Sequence, residues 1–449
     1  MLKTLAKKII TSPPLSTKYT SAHIPRRLVT YLEKLDIDIQ NWALAKSDFF
    51  SQKDWGRVQI KKLRNILVHA GSSVPYWQKL FRKLDLDPER FRDFDDLSKI
   101  PIITRTDIKK IPIENLLAKK TPQHRFVRSS TSGSTGEPFV FFQDTRDVFR
   151  RRINTYQEIR YMGLSPKDIF LVLGLGARRD LDDMRFRINP ADLDSDERAE
   201  DISSLVLSLG NFSLMTTPSY LHSFLRFCKK MGLRPKINAI IYYGEVLNAE
   251  DHKVAEDFFN CNIYSTYGTT ECSLVGTQCR LKNFHLAPWM NYVEIIKGLN
   301  GGPGRIVVTF FENYAMPFIR YDIGDLGYFR NSICACGVGT GIIELAGRSL
   351  GNIQFSNGKS YPLSFMLQHI SDNYSAEIER VQFEQSGDGL RLIVMPTGNS
   401  RQFEDVRQKL KEYFNKIFDN RASVVIDSSG RFFINQGGKT PLIYNAHER

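Results

Sequence analysis

Residues Ser129–Pro138 read Ser-Ser-Thr-Ser-Gly-Ser-Thr-Gly-Glu-Pro and lie between two β-like runs, Arg125–Arg128 and Phe139–Gln143. Small side chains let a backbone come close to a ligand. Gly133 and Gly136 permit φ > 0, so that consecutive N–H groups can converge on an anion. The hydroxyls add donors that can follow phosphate oxygens. There is no Gly-Lys-Ser/Thr, and a strand follows rather than a helix, so this is not a Walker loop. It would have to wrap its anion as a hairpin. By composition alone such a loop is more often a solvated turn, but the order Thr-Ser-Gly-Ser-Thr-Gly-Glu-Pro is far more specific than that composition.

The remainder of the chain fits an α/β enzyme of more than one domain. Its 449 residues exceed what one core organises, so two or three domains are expected. Residues 1–125 read as a helical lead-in. Leu63, Ile66, Leu67, His69 and Ala70 keep helical spacing up to a Ser-Ser-Val-Pro break at 72–75. Pro101 marks a turn that feeds a helix from Asp107. Beyond Phe126, Ile169–Leu175 and Ile237–Tyr243 look like buried parallel strands, with a helix over Ser219–Met231 between them. Arg179–Ala199 is polar and charged, and is expected to be a loop. After Gly347 the pattern changes. Strands at Leu390–Met395 and Val424–Ile426 flank an amphipathic helix carrying Phe403, Val406, Leu410, Phe414 and Ile417, with Ser400 as N-cap. The expectation is a large domain over 1–346, of mixed sheets with flanking helices, and a small α+β lid over 347–449 with a hinge at Gly347 and Gly351.

Six cysteines are too few for a disulfide scaffold. Cys279-x5-His285 followed by Cys334-Ala335-Cys336 offers three thiolates and one imidazole, a natural tetrahedral zinc set. Cys272 is the competing ligand, or a buried apolar thiol. The net charge of +13 favours anionic partners and leaves peripheral association through a basic surface open, but no nucleic-acid recognition motif accompanies it. No run reaches the roughly 18 apolar residues of a transmembrane segment. The first residues do not read as a secretory signal, so a cytoplasmic setting is expected.

Residues 131–138 match the phosphate-loop pattern [ST]-S-G-[ST]-T-G-x-P, and three further stretches follow in order. They are Tyr267-Gly268-Thr269-Thr270-Glu271, Arg320-Tyr321-Asp322-Ile323-Gly324-Asp325-Leu326-Gly327 and Gly347-Arg348. In these the chain resembles the adenylate-forming superfamily of acyl-CoA synthetases, luciferases and peptide-synthetase adenylation domains. Within it, the phenylacetate–CoA ligase-like group is most similar, which includes capsule-locus proteins called CapK. The resemblance implies an ATP-dependent ligase that activates a carboxylate as acyl-adenylate with Mg²⁺, then transfers it to a thiol such as CoA or to an amine, with capsule polysaccharide synthesis as one setting.

By that resemblance Thr131, Ser132, Gly133, Ser134, Thr135 and Gly136 hold the phosphates, and Gly244, Glu245, Gly268 and Thr269 line the nucleotide. Tyr267 stacks on adenine, Thr270 bonds the α-phosphate, and Glu271 holds Mg²⁺. Asp325 accepts the ribose hydroxyls, Arg348 lies near the ribose or phosphate, and Lys439 is the mobile catalytic lysine, with Lys359 as its competitor. Tyr242 and Tyr243, with Phe139 and Phe141, are candidates for the acid pocket and fit an aromatic or other apolar acid. Proteins of this group often carry a Cys/His/Cys/Cys zinc site, which the resemblance assigns to Cys279, His285, Cys334 and Cys336 in a structural role. Leu350 and Gly351 depart from the family, which usually has Asp at one or both positions, so the resemblance does not extend to the usual hinge pivot. Two rival functions share these residues: an adenylyltransferase that leaves AMP on its acceptor, and a non-catalytic, zinc-stabilised nucleotide binder.

Overall fold

The computed structural model of the chain describes residues 2–11, 26–47, 50–122, 125–131, 139–174, 185–244, 247, 249–296, 302–330, 332–348, 352–355, 360–374, 377–397, 400–418, 423–433 and 443–446. Helices alone precede the first strand, as the sequence predicts. The longest described helix of this lead-in, α3 (Gln52–Ser73), starts on a capping box in which Ser51 and Asp54 bond each other's backbone N–H. Trp55, Val58, Leu63, Ile66, Leu67 and Ala70 form its buried stripe. The helix stops at Ser73, and Pro75 opens the next one, α4 (Pro75–Lys83). The helix expected from Asp107 begins two residues earlier, as α6 (Arg105–Lys109). Thr104 caps it and Asp107 is the reciprocal acid at the third helical position.

Among the described residues eleven strands form the main sheet, in the order β10-β11-β12-β13-β9-β8-β7-β6-β5-β3-β4. One half is parallel: β3 (Phe170–Leu173), β4 (Arg185–Ile188), β5 (Asn211–Thr216), β6 (Lys236–Tyr242) and the first part of β7 (Asn262–Thr269). The other half is antiparallel: β8 (Ser273–Gln278), β9 (Phe284–Leu286), β13 (Ile342–Arg348), β12 (Tyr321–Arg330), β11 (Gly304–Phe310) and β10 (Asn291–Ile296). The halves meet on β7, where Asn262–Ser265 pair with β6 and Thr266–Thr269 pair with β8. The Tyr-Gly-Thr-Thr-Glu stretch therefore begins on the strand where the pairing sense changes. Helix α8 (Thr145–Tyr161) contributes Ile159 to one face of the parallel half, and α9 (Asp196–Ser208) and α10 (Pro218–Lys230) cover the other.

The loop expected over Arg179–Ala199 is corrected by β4, a 3₁₀ turn over Pro190–Asp194 and the start of α9. Arg-Phe-Arg-Ile alternates like a strand, but its charged members hid that from a search for apolar runs. Beyond β13 a separate core begins at Ile353 and includes Phe383, Leu392, Leu410 and Phe414. It lies under a four-stranded sheet of β16 (Ile378–Ser386), β17 (Gly389–Pro396), β18 (Ser423–Asp427) and β19 (Ile443–Asn445), with α13 (Ser400–Ile417) supplying Phe403, Leu410 and Phe414.

Candidate functional site

β1 (Phe126–Thr131) and β2 (Phe139–Asp144) pair antiparallel with Thr131 opposite Phe139, so the Ser/Gly loop joins a hairpin, as its sequence requires. Residues 132–138 of that loop lie outside the described residues. The base of the hairpin is anchored by Arg125, whose guanidinium bonds both oxygens of the buried Asp144 at 2.7 and 3.0 Å. Gln143 links the hairpin to the next motif. Its side-chain oxygen accepts from Ser129 Oγ at 2.7 Å, and its Nε2 donates to the Thr270 carbonyl at 3.1 Å.

The Tyr-Gly-Thr-Thr-Glu stretch forms the end of β7 and the turn into β8. Only glycine fits at 268: a Cβ there would lie 2.2 Å from the Ser273 carbonyl oxygen. Thr269 Oγ1 accepts the Cys272 N–H at 2.9 Å and closes the turn, leaving Thr270 exposed. Tyr267 donates its hydroxyl to Asp325 Oδ2 at 2.8 Å and packs edge-on against Phe284. The residues expected at adenine and at ribose are thus neighbours in the structure. Asp325 stands opposite Arg348 in the β12–β13 register, which brings a third expected residue to the same place on the backbone.

Glu271 is only 2% exposed. Arg105 donates to its Oε1 at 2.8 Å, and the Tyr321 hydroxyl donates to the same oxygen at 3.3 Å. Among the described residues both hydrogen bonds fall on Oε1. A hard dication suits that carboxylate chemistry. The Arg105 guanidinium also lies 5.4 Å from the ring centre of Phe139, the first described residue after the loop. Arg320, by contrast, is a structural member of its motif. It forks onto Glu294 at 2.9 and 3.0 Å and donates to the carbonyls of Ser98 and Ile100.

Of the two expected pocket aromatics, Phe139 and Phe141, Phe139 borders a cavity that Ile108, Pro112, Leu116 and Phe142 also line. Both are buried in the main core, stacked on one another, and Phe141 meets Phe318 edge-on. β2 points alternate residues inward, and composition cannot tell a core aromatic from a pocket aromatic. Tyr242 is half-buried against the core beneath α10, while Tyr243 sits at the carboxyl edge of the parallel strands with its N–H on the Thr216 carbonyl at 3.2 Å. Gly244 follows with φ +79° and is exposed. Glu245, Leu350, Gly351, Lys359 and Lys439 lie outside the described residues.

Cys279, His285, Cys334 and Cys336 converge, with all four ligand atoms within 4.8 Å of one another. The Cys279 and Cys334 sulfurs are 3.8 Å apart, and Cys336 Sγ is 3.3 Å from His285 Nε2. A zinc tetrahedron with bonds of about 2.3 Å to sulfur has edges of about 3.8 Å, so the donor set fits that ion. Backbone N–H groups of Leu281 and Val338 each donate to a ligand sulfur at 3.4 Å, and Asn283 donates to Cys334 at 3.3 Å. Thr340 Oγ1 lies 3.4 Å from His285 Nδ1, which turns Nε2 towards the sulfurs. Burial pushes the imidazole pKa down and keeps it neutral, the form that binds metal. Cys272 is a core thiol outside this set.

No family model matches the chain. Among curated proteins it is similar to the phenylacetate-coenzyme A ligase of Thermus thermophilus, 24% identical over 307 residues, which are 62% of this chain and 67% of that protein. It is also similar to the CapK protein of Staphylococcus aureus, 20% identical over 299 residues, 62% of this chain and 64% of that one. Among solved structures, 2-hydroxyisobutyryl-CoA ligase in complex with its acyl-adenylate and CoA superimposes with a TM-score of 0.64 at 15% identity, covering 88% of this chain and 92% of the other. The fold is that of the adenylate-forming enzymes. The chain's curated relatives include phenylacetate-coenzyme A ligases and CapK.

Sequence reasoning missed Arg105 and Gln143. Arg105 lies 166 residues from Glu271 in the chain, and Gln143 lies 127 from Thr270. No local pattern announces either contact. The sole signal was the abrupt end of the β2 apolar run in Gln-Asp.

Proposed function

We propose that this chain joins a carboxylic acid to ATP as an acyl-adenylate, releasing pyrophosphate, and then transfers the acyl group to a thiol such as CoA or to an amine. The observation that carries the reading is the Tyr267–Asp325 hydrogen bond of 2.8 Å, set beside the Thr270–Glu271 turn and tied through Gln143 to the phosphate-loop hairpin. An acid oxygen attacks the α-phosphorus while the bond from that phosphorus to the pyrophosphate oxygen breaks. The acceptor then attacks the acyl carbon, and AMP leaves.

In this reading residues 131–136 wrap the departing phosphates, Thr270 orients the α-phosphate, and Asp325 and Tyr267 fix the nucleoside. Gly244, Glu245, Gly268 and Thr269 line the nucleotide, and Arg348 stands by the ribose or phosphate. Glu271 would hold Mg²⁺, and that ion would supply charge neutralisation for the phosphates when bound. Lys439 would meet the charge that develops during attack, an interaction made mainly in the transition state. Zinc at Cys279, His285, Cys334 and Cys336 would have a structural role, since four protein ligands leave no open position. Similarity to CapK supports a setting in capsule or polysaccharide synthesis.

ATP–pyrophosphate exchange across a carboxylate panel tests the proposal. Exchange should depend on one class of acid and on Mg²⁺. Tight nucleotide binding without exchange for any acid would make the chain a binder, and AMP found covalently on a macromolecular acceptor would make it an adenylyltransferase.

A further inference from the structure

The outer face of the small sheet carries a buried polar side chain that the chemistry proposed above does not use. Phe383 of β16 and Leu392 of β17 stand opposite each other and belong to the core with α13. Alternate residues of a strand point to the other face, which Arg380, Gln382 and Glu384 therefore share. Tyr444 of β19 pairs with Glu384 and joins them there. After β18 the chain comes back over this face. Asp427 Oδ1 accepts the Ser429 N–H at 2.9 Å, and Gly430 turns the backbone at φ +65°. The Phe432 ring lies 5.0 Å from the Arg380 guanidinium. Gln382 is fully buried and takes hold of Phe433 at two points. Its Oε1 accepts the Phe433 N–H at 2.7 Å, and its Nε2 donates to the Phe433 carbonyl at 2.9 Å. The Phe433 ring packs on Tyr444, with ring centres 4.5 Å apart. β19 then begins at Ile443, which pairs with Phe383, the residue next to Gln382. The chain between Phe433 and Ile443 thus leaves and rejoins the sheet at neighbouring points on β16, and Lys439 belongs to it.

We propose that Gln382 is a positioning residue for adenylation, its amide fixing the base of the segment that bears Lys439. This rests on the ligase reading above, with Lys439 as its lysine, and adds how that lysine is held to its task. A cation that meets charge developing on the α-phosphate works by being placed before the charge appears. Misplacement by about 1 Å can cost about 10² in rate. Gly437 and Gly438 directly precede Lys439, and glycine is the residue least able to stiffen a backbone. The stiffness is lent at the base instead. A carboxamide offers an acceptor and a donor side by side, matched to the N–H and C=O of one residue. Two bonds to one residue fix its orientation as well as its place. Glutamate at 382 would accept but not donate, and an apolar side chain would give neither main-chain group a partner.

A double-mutant cycle in ATP–pyrophosphate exchange tests this. Gln382→Met should lower the exchange kcat about tenfold or more and leave the KM for ATP within about twofold. In a Lys439→Ala background the same substitution should cost nothing further, because the group it positions is gone. A merely structural glutamine would lower the rate equally in both backgrounds. Limited trypsin digestion reads the clamp without catalysis, and cleavage after Lys439 should quicken several-fold in Gln382→Met. Should Gln382→Met not fold, Gln382→Glu, which keeps the bond to the Phe433 N–H and loses the other, takes its place in the same cycle. Equal losses in both backgrounds, unchanged cleavage, or a normal kcat in folded Gln382→Met while Lys439→Ala is impaired would each overturn the inference and leave the ligase reading standing. Normal exchange in Lys439→Ala would overturn the role of that lysine and this inference together. Absence of exchange with every acid in the wild-type chain would remove the ligase reading, and the inference with it.

Discussion

The residues proposed to bind the nucleotide and the Cys/His cluster occupy opposite ends of the same strands, and they are built in opposite ways. β8 starts two residues after Glu271 and ends one residue before Cys279. β12 carries Asp325 and leads out to Cys334, while β13 begins just past Thr340 and ends at Arg348, opposite Asp325. At the cluster end Cys279, His285 and Cys334 are buried and their donors point at one another. At the nucleotide end Thr270 and Gly244 are exposed and Tyr267 is half-buried. Closed donors suit an ion that stays; open ones suit a ligand that enters and leaves. A six-residue strand spans about 20 Å, so an ion held by the cluster would be too distant for chemistry, and the role we propose for it is to clamp β8, β9, β12 and β13 together.

The largest expected effect breaks the closed end. Cys334→Ser with Cys336→Ser should abolish about one equivalent of zinc per chain and lower stability by several kcal/mol, since metal binding is folding free energy at such sites. Metal analysis and thermal unfolding report both. Wild-type protein purified without chelators that holds no zinc, or a double variant as stable as wild type, would remove the clamp.

At the open end the effect should fall on rate instead. Glu271→Gln keeps the shape but removes the charge, and adenylation should slow by about 10²–10³, the usual cost of losing one preorganised electrostatic partner. Zinc content should not change. A rate within a few-fold of wild type at saturating Mg²⁺ would take Glu271 out of the chemistry. A smaller loss is expected for Asp325→Ala, about 1–3 kcal/mol in ATP and AMP affinity, because charged hydrogen bonds to the ribose and the anchor of Tyr267 go together. Calorimetry with unchanged affinity in a folded variant would contradict it.

The two ends also differ in how far they could be read from sequence. The cluster was legible because thiolates and imidazole carry their chemistry in the residue type, and the structure needed only to bring them together. Tyr267 and Asp325 were legible as ordered motif members, though their mutual hydrogen bond was not. Arg105 was hidden because a lone arginine at a helix start looks solvated, and it acquires meaning only from Glu271 across the fold. β4 was hidden because its charged residues broke the apolar pattern. Phe141 was misread because burial depends on which face of β2 turns inward.

The smallest effect sharpens the comparison most, because it tests how the open end is held without a metal. Gln143 is buried and spans the gap between Ser129 and Thr270 with one amide, accepting from the first and donating to the second. Gln143→Met keeps the length and volume and removes both bonds. Losing these two part-buried hydrogen bonds should cost about 1–2 kcal/mol of stability. If the amide also sets the spacing between the phosphate loop and the Thr270 turn, the KM for ATP should rise several-fold. The zinc content should stay as it was, since Gln143 is not among the four donors of the cluster. Gln143→Glu is the sharper probe: it retains the acceptor for Ser129 but loses the donor and sets a carboxylate against the Thr270 carbonyl, so its ATP defect should exceed that of Gln143→Met. Equal loss of stability in both variants with an unmoved ATP KM would reduce Gln143 to a packing residue, and the open end would then be held by the strand register alone.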